Sequence, residues 1–226
     1  MSEGFRLCIV YAIRGRLAWL SHLETVEAMR RIVRRAQLPY AVSEGFNPHM
    51  KATFGPALPV GASGEGEYFD VILTEYVAPD EALSRLQQAA PANLMPLSCS
   101  YTDLRGPALD VALPISSWRA EFDGACDAAS VQERLEEAFS ALLSRGSLEV
   151  VKKKRGKTVV REVRFAEKLV REPVFFPWEG RVCMTFTTRQ NNEGALRPDL
   201  FIDEALKDVV DAPALVTLVR TELAGE

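Results

Sequence analysis

The amino-acid sequence predicts an α+β protein made of two tandem β-α-β-β-α-β units, with the helices of each unit covering one face of an antiparallel sheet. Three observations lead to this prediction. Apolar, β-favouring stretches and amphipathic helical stretches follow one another in the same order in each half of the chain. The capping-box pattern S-x-x-E that opens helices occurs at residues 21–24 and again at 130–133. Residues 104–117, with one glycine and two prolines, separate the halves.

The first half, residues 1–105, begins with an apolar alternation that predicts a strand over Phe5–Ile13. In Ser21-His22-Leu23-Glu24 the serine and the glutamate can each satisfy a backbone N–H at a helix start, so we expect a helix from here to about Gln37. The remaining predicted elements are a short strand at 51–54, a strand at 67–76, a helix at 79–90 that opens with proline and acids, and a strand at Leu94–Thr102.

One face of the first predicted helix is basic. At about 100° per residue the apolar side chains fall on one arc of the helix and the arginines on the opposite arc. The apolar positions are Val26, Met29, Ile32, Val33 and Ala36, and the basic positions are Arg30, Arg31, Arg34 and Arg35. The arginines form either a solvated helix face or part of a site for an anion.

The second half, residues 106–226, repeats this order. Strands are predicted at 118–122, 148–153, 181–187 and 215–222, and helices start at Ser130 and Pro198. Residues 154–180 are extra to the scheme and are interpreted as an inserted basic hairpin, with a strand at 157–165 followed by a loop at 173–180. Each half therefore has the element order of a ferredoxin-like unit.

The composition restricts the class of protein. Apolar residues make up 47% and charged residues 26% of the 226 residues, and no apolar run approaches the roughly 20 residues that cross a bilayer. Met1-Ser2-Glu3-Gly4 leads directly into the first strand without a secretory leader, so we expect a cytoplasmic protein. The 4 cysteines form no C-x-x-C pair and there are only 2 histidines, so neither a metal site nor a cofactor is expected.

The net charge of −4 is unevenly distributed along the chain. Residues 1–55 contain 8 Lys and Arg against 4 Asp and Glu, and residues 151–189 contain 11 against 4. Residues 56–150 contain 5 against 15, and residues 190–226 contain 3 against 8. Two basic blocks in an acidic protein can attract nucleic acid or phosphate while the rest of the surface keeps the protein soluble, although two solvated faces would give the same counts.

The loop at residues 43–56, SEGFNPHMKATFGP, is a candidate binding site because its glycines and prolines restrict its path. His49 or Lys51 could meet a phosphodiester, and Phe46 or Phe54 could stack on a base or instead lie in the core. The candidate residues in this loop are Ser43, Glu44, Phe46, Asn47, His49 and Lys51.

The densest positive charge lies in the predicted hairpin. Candidate anion-binding residues here are Lys152, Lys153, Lys154, Arg155 and Arg164, and three aromatic side chains follow them at Phe175, Phe176 and Trp178. Basic side chains neutralise phosphates and aromatic rings stack on unpaired bases. Lysines on a hairpin also keep an edge strand from pairing with another chain, so a purely structural role for these lysines stays open.

Several of these stretches resemble a known bacterial family, the radical-SAM-linked domain of unknown function, which is DUF2344-like. In the first half the resemblance is carried by Leu20-Ser21-His22-Leu23-Glu24, by the arginine pairs with Ala36, by SEGFNPHMKATFGPALPVG and by Gly66-Glu67-Tyr68-Phe69-Asp70. In the second half it is looser, at 152–164 and at Arg197-Pro198-Asp199-Leu200. Met50 stands where the family commonly has proline, and Glu162 where it more often has aspartate.

Members of that family occur as extensions of radical SAM proteins or as chains encoded beside them, so the resemblance implies a radical SAM partner. This chain lacks the C-x-x-x-C-x-x-C cluster motif, which favours a non-catalytic companion that binds RNA or another anionic substrate. Two alternatives stay open. The chain could be a metal-independent RNA-processing enzyme that uses His49 and Lys51 near Arg34. It could also be a protein–protein adaptor that meets its partner through the acidic region 56–150.

Overall fold

The computed structural model describes residues 4–124, 127–154, 157–191 and 194–225. The chain divides into two compact units, the first made of residues 1–114 and 220–226 and the second of residues 115–219. The predicted ranges were 1–105 and 106–226. The observed first unit thus also contains the linker up to Pro114 and the end of the last strand, which returns to it.

The first unit contains the predicted β-α-β-β-α-β order. Its elements are β1 (Phe5–Ile13), a 3-10 helix (Gly15–Trp19), α1 (His22–Arg35), β2 (Ala52–Phe54), β3 (Ser63–Leu73), α2 (Pro79–Ala89), β4 (Leu94–Thr102) and α3 (Leu109–Ala112). β1 pairs antiparallel with β3 on one side and with β4 on the other, and β2 pairs antiparallel with β3. The spatial order is therefore β4-β1-β3-β2.

The two longer helices cover one face of this sheet. Alternate residues of β1 and β3 are buried under the apolar faces of α1 and α2, because successive side chains of a strand point to opposite faces. The main members of this core are Leu7, Ile9, Tyr11, Met29, Ile32, Val33, Phe69, Val71, Leu73, Ala82 and Leu86. The predicted capping box is confirmed, since Ser21 accepts from the Glu24 N–H and Glu24 accepts from the Ser21 N–H.

The described residues of the second unit form three helices and six strands. Its elements are β5 (Ile115–Asp123), α4 (Ala128–Ser144), β6 (Ser147–Lys154), β7 (Lys157–Arg164), α5 (Phe165–Lys168), β8 (Leu169–Trp178), β9 (Arg181–Arg189), α6 (Pro198–Leu206) and β10 (Ala214–Ala224). β10, β5, β9 and β8 are neighbours in that order, whereas β6 and β7 form a separate two-stranded sheet among the residues that the structure describes. From Arg220 onward β10 belongs to the first unit.

Two predictions for the second unit were wrong. Residues 173–180 were expected to form a loop, but β8 extends through Trp178 and pairs with β9. Pro173 and Pro177 are tolerated because β8 lies at the edge of its sheet, where a missing N–H breaks no bond of a central strand. The helix expected to start at Ser130 starts at Ala128, because the Asp127 carboxylate accepts from the first-turn N–H groups and caps it.

In the part of the chain that the structure describes, no helix is both long and apolar enough to cross a membrane. Cys8 and Cys183 are buried free thiols and Cys99 is half-buried, while Cys126 lies outside the described residues.

Candidate functional site

The loop between α1 and β2 is closed at its base by a serine–histidine pair. The Ser43 N–H donates to the His49 carbonyl at 2.8 Å, and the His49 N–H donates to Ser43 Oγ at 3.0 Å. Ser43 Oγ also lies 2.8 Å from His49 Nδ1, which fixes the ring. Next to this pair, Val42 and Met50 form an isolated antiparallel β-bridge, and the Met50 side chain is buried in the core. The loop therefore has a defined stem that ends in the core of the first unit.

The tip of this loop faces solvent. Phe46 is fully exposed (100%), so its alternative placement in the core is wrong. Glu44, Asn47 and Lys51 are exposed as well. Phe54, by contrast, is half-buried and stacks on Phe69 at a centroid distance of 5.2 Å, as its core interpretation required. Of the two phenylalanines, only Phe46 is available to a ligand.

The arginine face of α1 is largely open to solvent. Arg31, Arg34 and Arg35 are exposed, whereas Arg30 is half-buried and donates to Glu27 at 2.8 Å. No hydrogen bond or ion pair among the described residues joins these arginines to the 43–49 loop. A joint site made of the loop and the arginine face stays a prediction.

An open groove of about 670 Å³ lies between the end of α1 and α2. It is lined by Arg35, Ala36, Gln37, Arg85, Gln88 and Ala89. Arg85 also pairs with Glu81 one turn earlier on α2. The lining thus presents two guanidinium groups, which can bind a phosphate, and two amides, which can hydrogen-bond to polar atoms next to that phosphate. The sequence analysis missed Arg85 because it lies on another helix, fifty residues after Arg35.

A cavity of about 20 Å³ gathers the stretches that carry the family resemblance in the first half. His22 comes from the capping-box stretch, Gly55 and Pro56 from the long loop motif, and Glu67 and Tyr68 from the GEYFD stretch. The other lining residues are Tyr11, Ile13, Ala18, Leu20, Thr25, Leu58 and Ala62. This volume holds about one water molecule and is too small for a substrate.

A buried ion pair lies beside this cavity. Arg220 and Glu67 are 2% and 3% exposed. Arg220 Nε donates to Glu67 Oε1 at 2.9 Å, and Nη2 donates both to Glu67 Oε2 and to the Pro56 carbonyl at 2.6 Å. The guanidinium group therefore connects the Pro56 carbonyl to Glu67 of β3. Sequence analysis missed Arg220, although an arginine directly after the apolar run of a predicted strand was a usable signal.

The buried pair and its surroundings shift the titration of two neighbours. Burial, and secondarily the Glu67 carboxylate, raises the pKa of Tyr11 well above its usual range. Burial, and secondarily the Arg220 guanidinium, lowers the pKa of His22. The His22 ring meets Phe54 edge-on at 6.2 Å. The neutral form of the His22 ring is therefore favoured, and the ring lies at the rim of the cavity.

A second ion pair, between Arg6 and Asp70, holds the linker that follows β4. Arg6 donates to Asp70 Oδ2 from Nε at 2.8 Å and from Nη2 at 2.6 Å, and it also donates to the carbonyls of Gly106 and Pro107. Burial, followed by the charge of Asp70, raises the pKa of Cys8 to about 12, so this thiol is no nucleophile at neutral pH. Nowhere in the described ranges do three His, Cys, Asp or Glu side chains cluster as metal ligands would.

The candidates of the second unit are only partly described. The side chains of Lys152, Lys153 and Lys154, and all of Arg155, lie outside the described residues. Arg164 is exposed and pairs with Glu162 and Glu167. Of the three aromatics, Phe175 packs on Phe139 of α4, Phe176 is half-buried, and Trp178 is exposed.

Comparison with known proteins gives a family match. A family model described as "Uncharacterized protein conserved in bacteria (DUF2344)" matches residues 6–198. A search of curated proteins finds no match.

Solved structures give distant likenesses. A chain of a Cbf5-Nop10-Gar1 complex is 13% identical with a TM-score of 0.48, and the match covers 98% of this chain but 49% of that chain. An unknown protein from Galdieria sulphuraria is 15% identical with a TM-score of 0.28 and 91% coverage of both chains. A DypB variant of Rhodococcus jostii RHA1 in complex with heme is 12% identical with a TM-score of 0.27, covering 99% of this chain and 96% of that chain.

Proposed function

The chain belongs to the family of uncharacterized bacterial proteins whose model it matches, and we propose that it is a non-catalytic companion of a radical SAM protein that binds RNA through its basic surfaces. The proposal includes two tandem ferredoxin-like units, supported by the β-α-β-β-α-β order of the first unit and by the β10-β5-β9-β8 order of the second. It also includes the cytoplasmic location expected from the sequence.

The groove between α1 and α2 is the observation that carries the proposal. Arg35 and Arg85 line it together with Gln37 and Gln88, and no acidic side chain is among its lining residues. Guanidinium groups bind phosphates bidentately, and amides accept and donate to sugars and base edges. Exposed Arg31 extends the basic surface along α1. This surface suits a polyanion better than it suits an uncharged substrate.

The radical SAM partner is inferred from the family resemblance alone. The stretches that carry the resemblance surround the cavity beside Arg220 and Glu67, which is too small for substrate. In this proposal that region keeps the first unit rigid, while chemistry on the bound RNA is supplied by the partner.

A salt series tests RNA binding. For the parent protein, Kd for a labelled single-stranded RNA should rise with salt, with a slope of about 0.7 log units per phosphate contacted. Arg35→Gln should weaken binding and reduce that slope by about 0.7, because one phosphate contact is lost. Arg105→Gln is the matched control, since it removes an exposed arginine of the same unit that is outside the groove.

Purification from cells that contain both chains tests the partner. RNA and a radical SAM protein should copurify with the parent protein. A radical SAM protein without RNA, together with no RNA binding at low salt, would support the adaptor instead. RNA cleavage that disappears in His49→Ala would support the RNA-processing enzyme.

A further inference from the structure

Trp19, at the end of the 3-10 helix before α1, is an exposed aromatic side chain held in place by backbone. It is 71% exposed. Its six-membered ring packs against Gly61, where an added Cβ would lie 3.5 Å from Cη2 and from Cζ3. The Gly61 N–H donates to the carbonyl of Ala18 at 2.8 Å, which ties the two segments together. Gly61 has φ +91, so a side chain there would also strain the backbone.

Positive charge accompanies this ring. Arg16 precedes Trp19 by three residues in a 3-10 helix, and residues at i and i+3 of such a helix lie on the same edge. Arg14 and Arg16 are exposed. Neither side chain has a hydrogen-bond or ion-pair partner among the described residues. The segments 14–20 and 56–62 contain no acidic residue, so neither segment supplies a carboxylate to these arginines.

We propose that Trp19 stacks on an unpaired base of bound RNA while Arg16 contacts the phosphate of the same strand. This inference rests on the RNA binding proposed above and adds a contact site at the other end of α1. The 14 residues of α1 span about 20 Å, a distance that a few extended nucleotides cover. In this proposal a single strand meets the groove at Arg35 with one part and Trp19 with another.

Single-stranded RNA fits this surface better than a protein partner does. An exposed ring with adjacent arginines provides what a nucleotide needs, namely a stacking face and a cation for its phosphate. An exposed apolar side chain also lies nearby in sequence, at Leu23. Tryptophan is also common in the hot spots of protein interfaces, so RNA affinity and the copurification of a protein are measured separately.

The test uses an eight-nucleotide oligouridylate with a fluorescent label and the full chain. Trp19→Leu keeps an apolar side chain but removes the aromatic ring, and it should raise Kd about tenfold, in line with the effect of losing one base–aromatic stack. Trp19→Phe should recover most of the affinity. Tyr76→Leu is the control, because Tyr76 is an exposed aromatic residue of the same unit that is part of none of the proposed binding sites. Arg16→Gln should reduce the salt slope by about 0.7.

An oligomer of the same length that lacks bases separates stacking from charge. The parent and Trp19→Leu should bind it equally, because only phosphates remain. If Trp19→Leu binds oligouridylate as tightly as the parent does, this inference is wrong although RNA binding stands. If Trp19→Leu instead loses a copurifying protein while its RNA affinity is unchanged, the surface is a protein interface and the inference is also wrong. If the parent binds no RNA, the proposed function itself fails.

Discussion

Removing the Arg220 guanidinium should unfold the first unit at a much lower urea concentration. In Arg220→Met, the Glu67 carboxylate stays buried without its cation, and the Pro56 carbonyl loses its donor. Breaking a buried pair on one side costs about 3 to 5 kcal/mol. At an m value of about 2 kcal/mol per M, the urea midpoint should fall by about 1.5 to 2.5 M.

A double-mutant cycle separates the pair from its surroundings. Glu67→Met alone should cost about as much as Arg220→Met, because it leaves a buried cation unpaired. The combined variant should cost only about 1 to 3 kcal/mol, mainly for the unsatisfied Pro56 carbonyl. Circular dichroism during urea unfolding measures all three. Arg105→Met, at an exposed position, should stay within about 0.5 kcal/mol of the parent.

The reasoning is refuted if either single variant costs less than about 1 kcal/mol, since a buried charge would then be solvated in some other way. It is refuted equally if the combined variant costs as much as the two single variants together, because the two groups would then not be coupled.

Two further predictions concern pH and salt. Because the pKa of His22 is lowered in the folded state, the unfolded chain binds the proton more readily. The contribution of His22 to stability is therefore complete above pH 6.5 and is lost as the pH falls through the folded-state pKa. In urea titrations run at successive pH values, His22→Gln should show a smaller loss of stability with falling pH than the parent protein. Replacing Lys152, Lys153 and Lys154 together with alanine should weaken RNA binding and reduce its salt slope without loss of helix signal, and a variant with the parent's slope would exclude these lysines from the RNA site.

Local sequence determined several elements of the first unit, although β3 begins at Ser63, before its predicted start at residue 67. The Ser21–Glu24 capping box and the periodic apolar face of α1 are as predicted, because the hydrogen bonds of a helix start and the spacing of a buried face depend on residues within about four positions of one another. The strand β4 was also predicted with its observed bounds. The prediction failed where two nearby residues could each cap the same helix. The carboxylate of Asp127, not the side chain of Ser130, caps α4.

Tertiary structure decided which of these elements meet. The prolines at 173 and 177 indicated a loop, and only the position of β8 at a sheet edge makes them compatible with a strand. The groove between α1 and α2 combines Arg35 with Arg85. Arg220 pairs with Glu67, which lies 153 residues earlier in the chain. No local pattern encodes these partners, because a buried charge is stabilised by whichever opposite charge the folded chain brings to it, and that choice depends on how distant strands and helices pack.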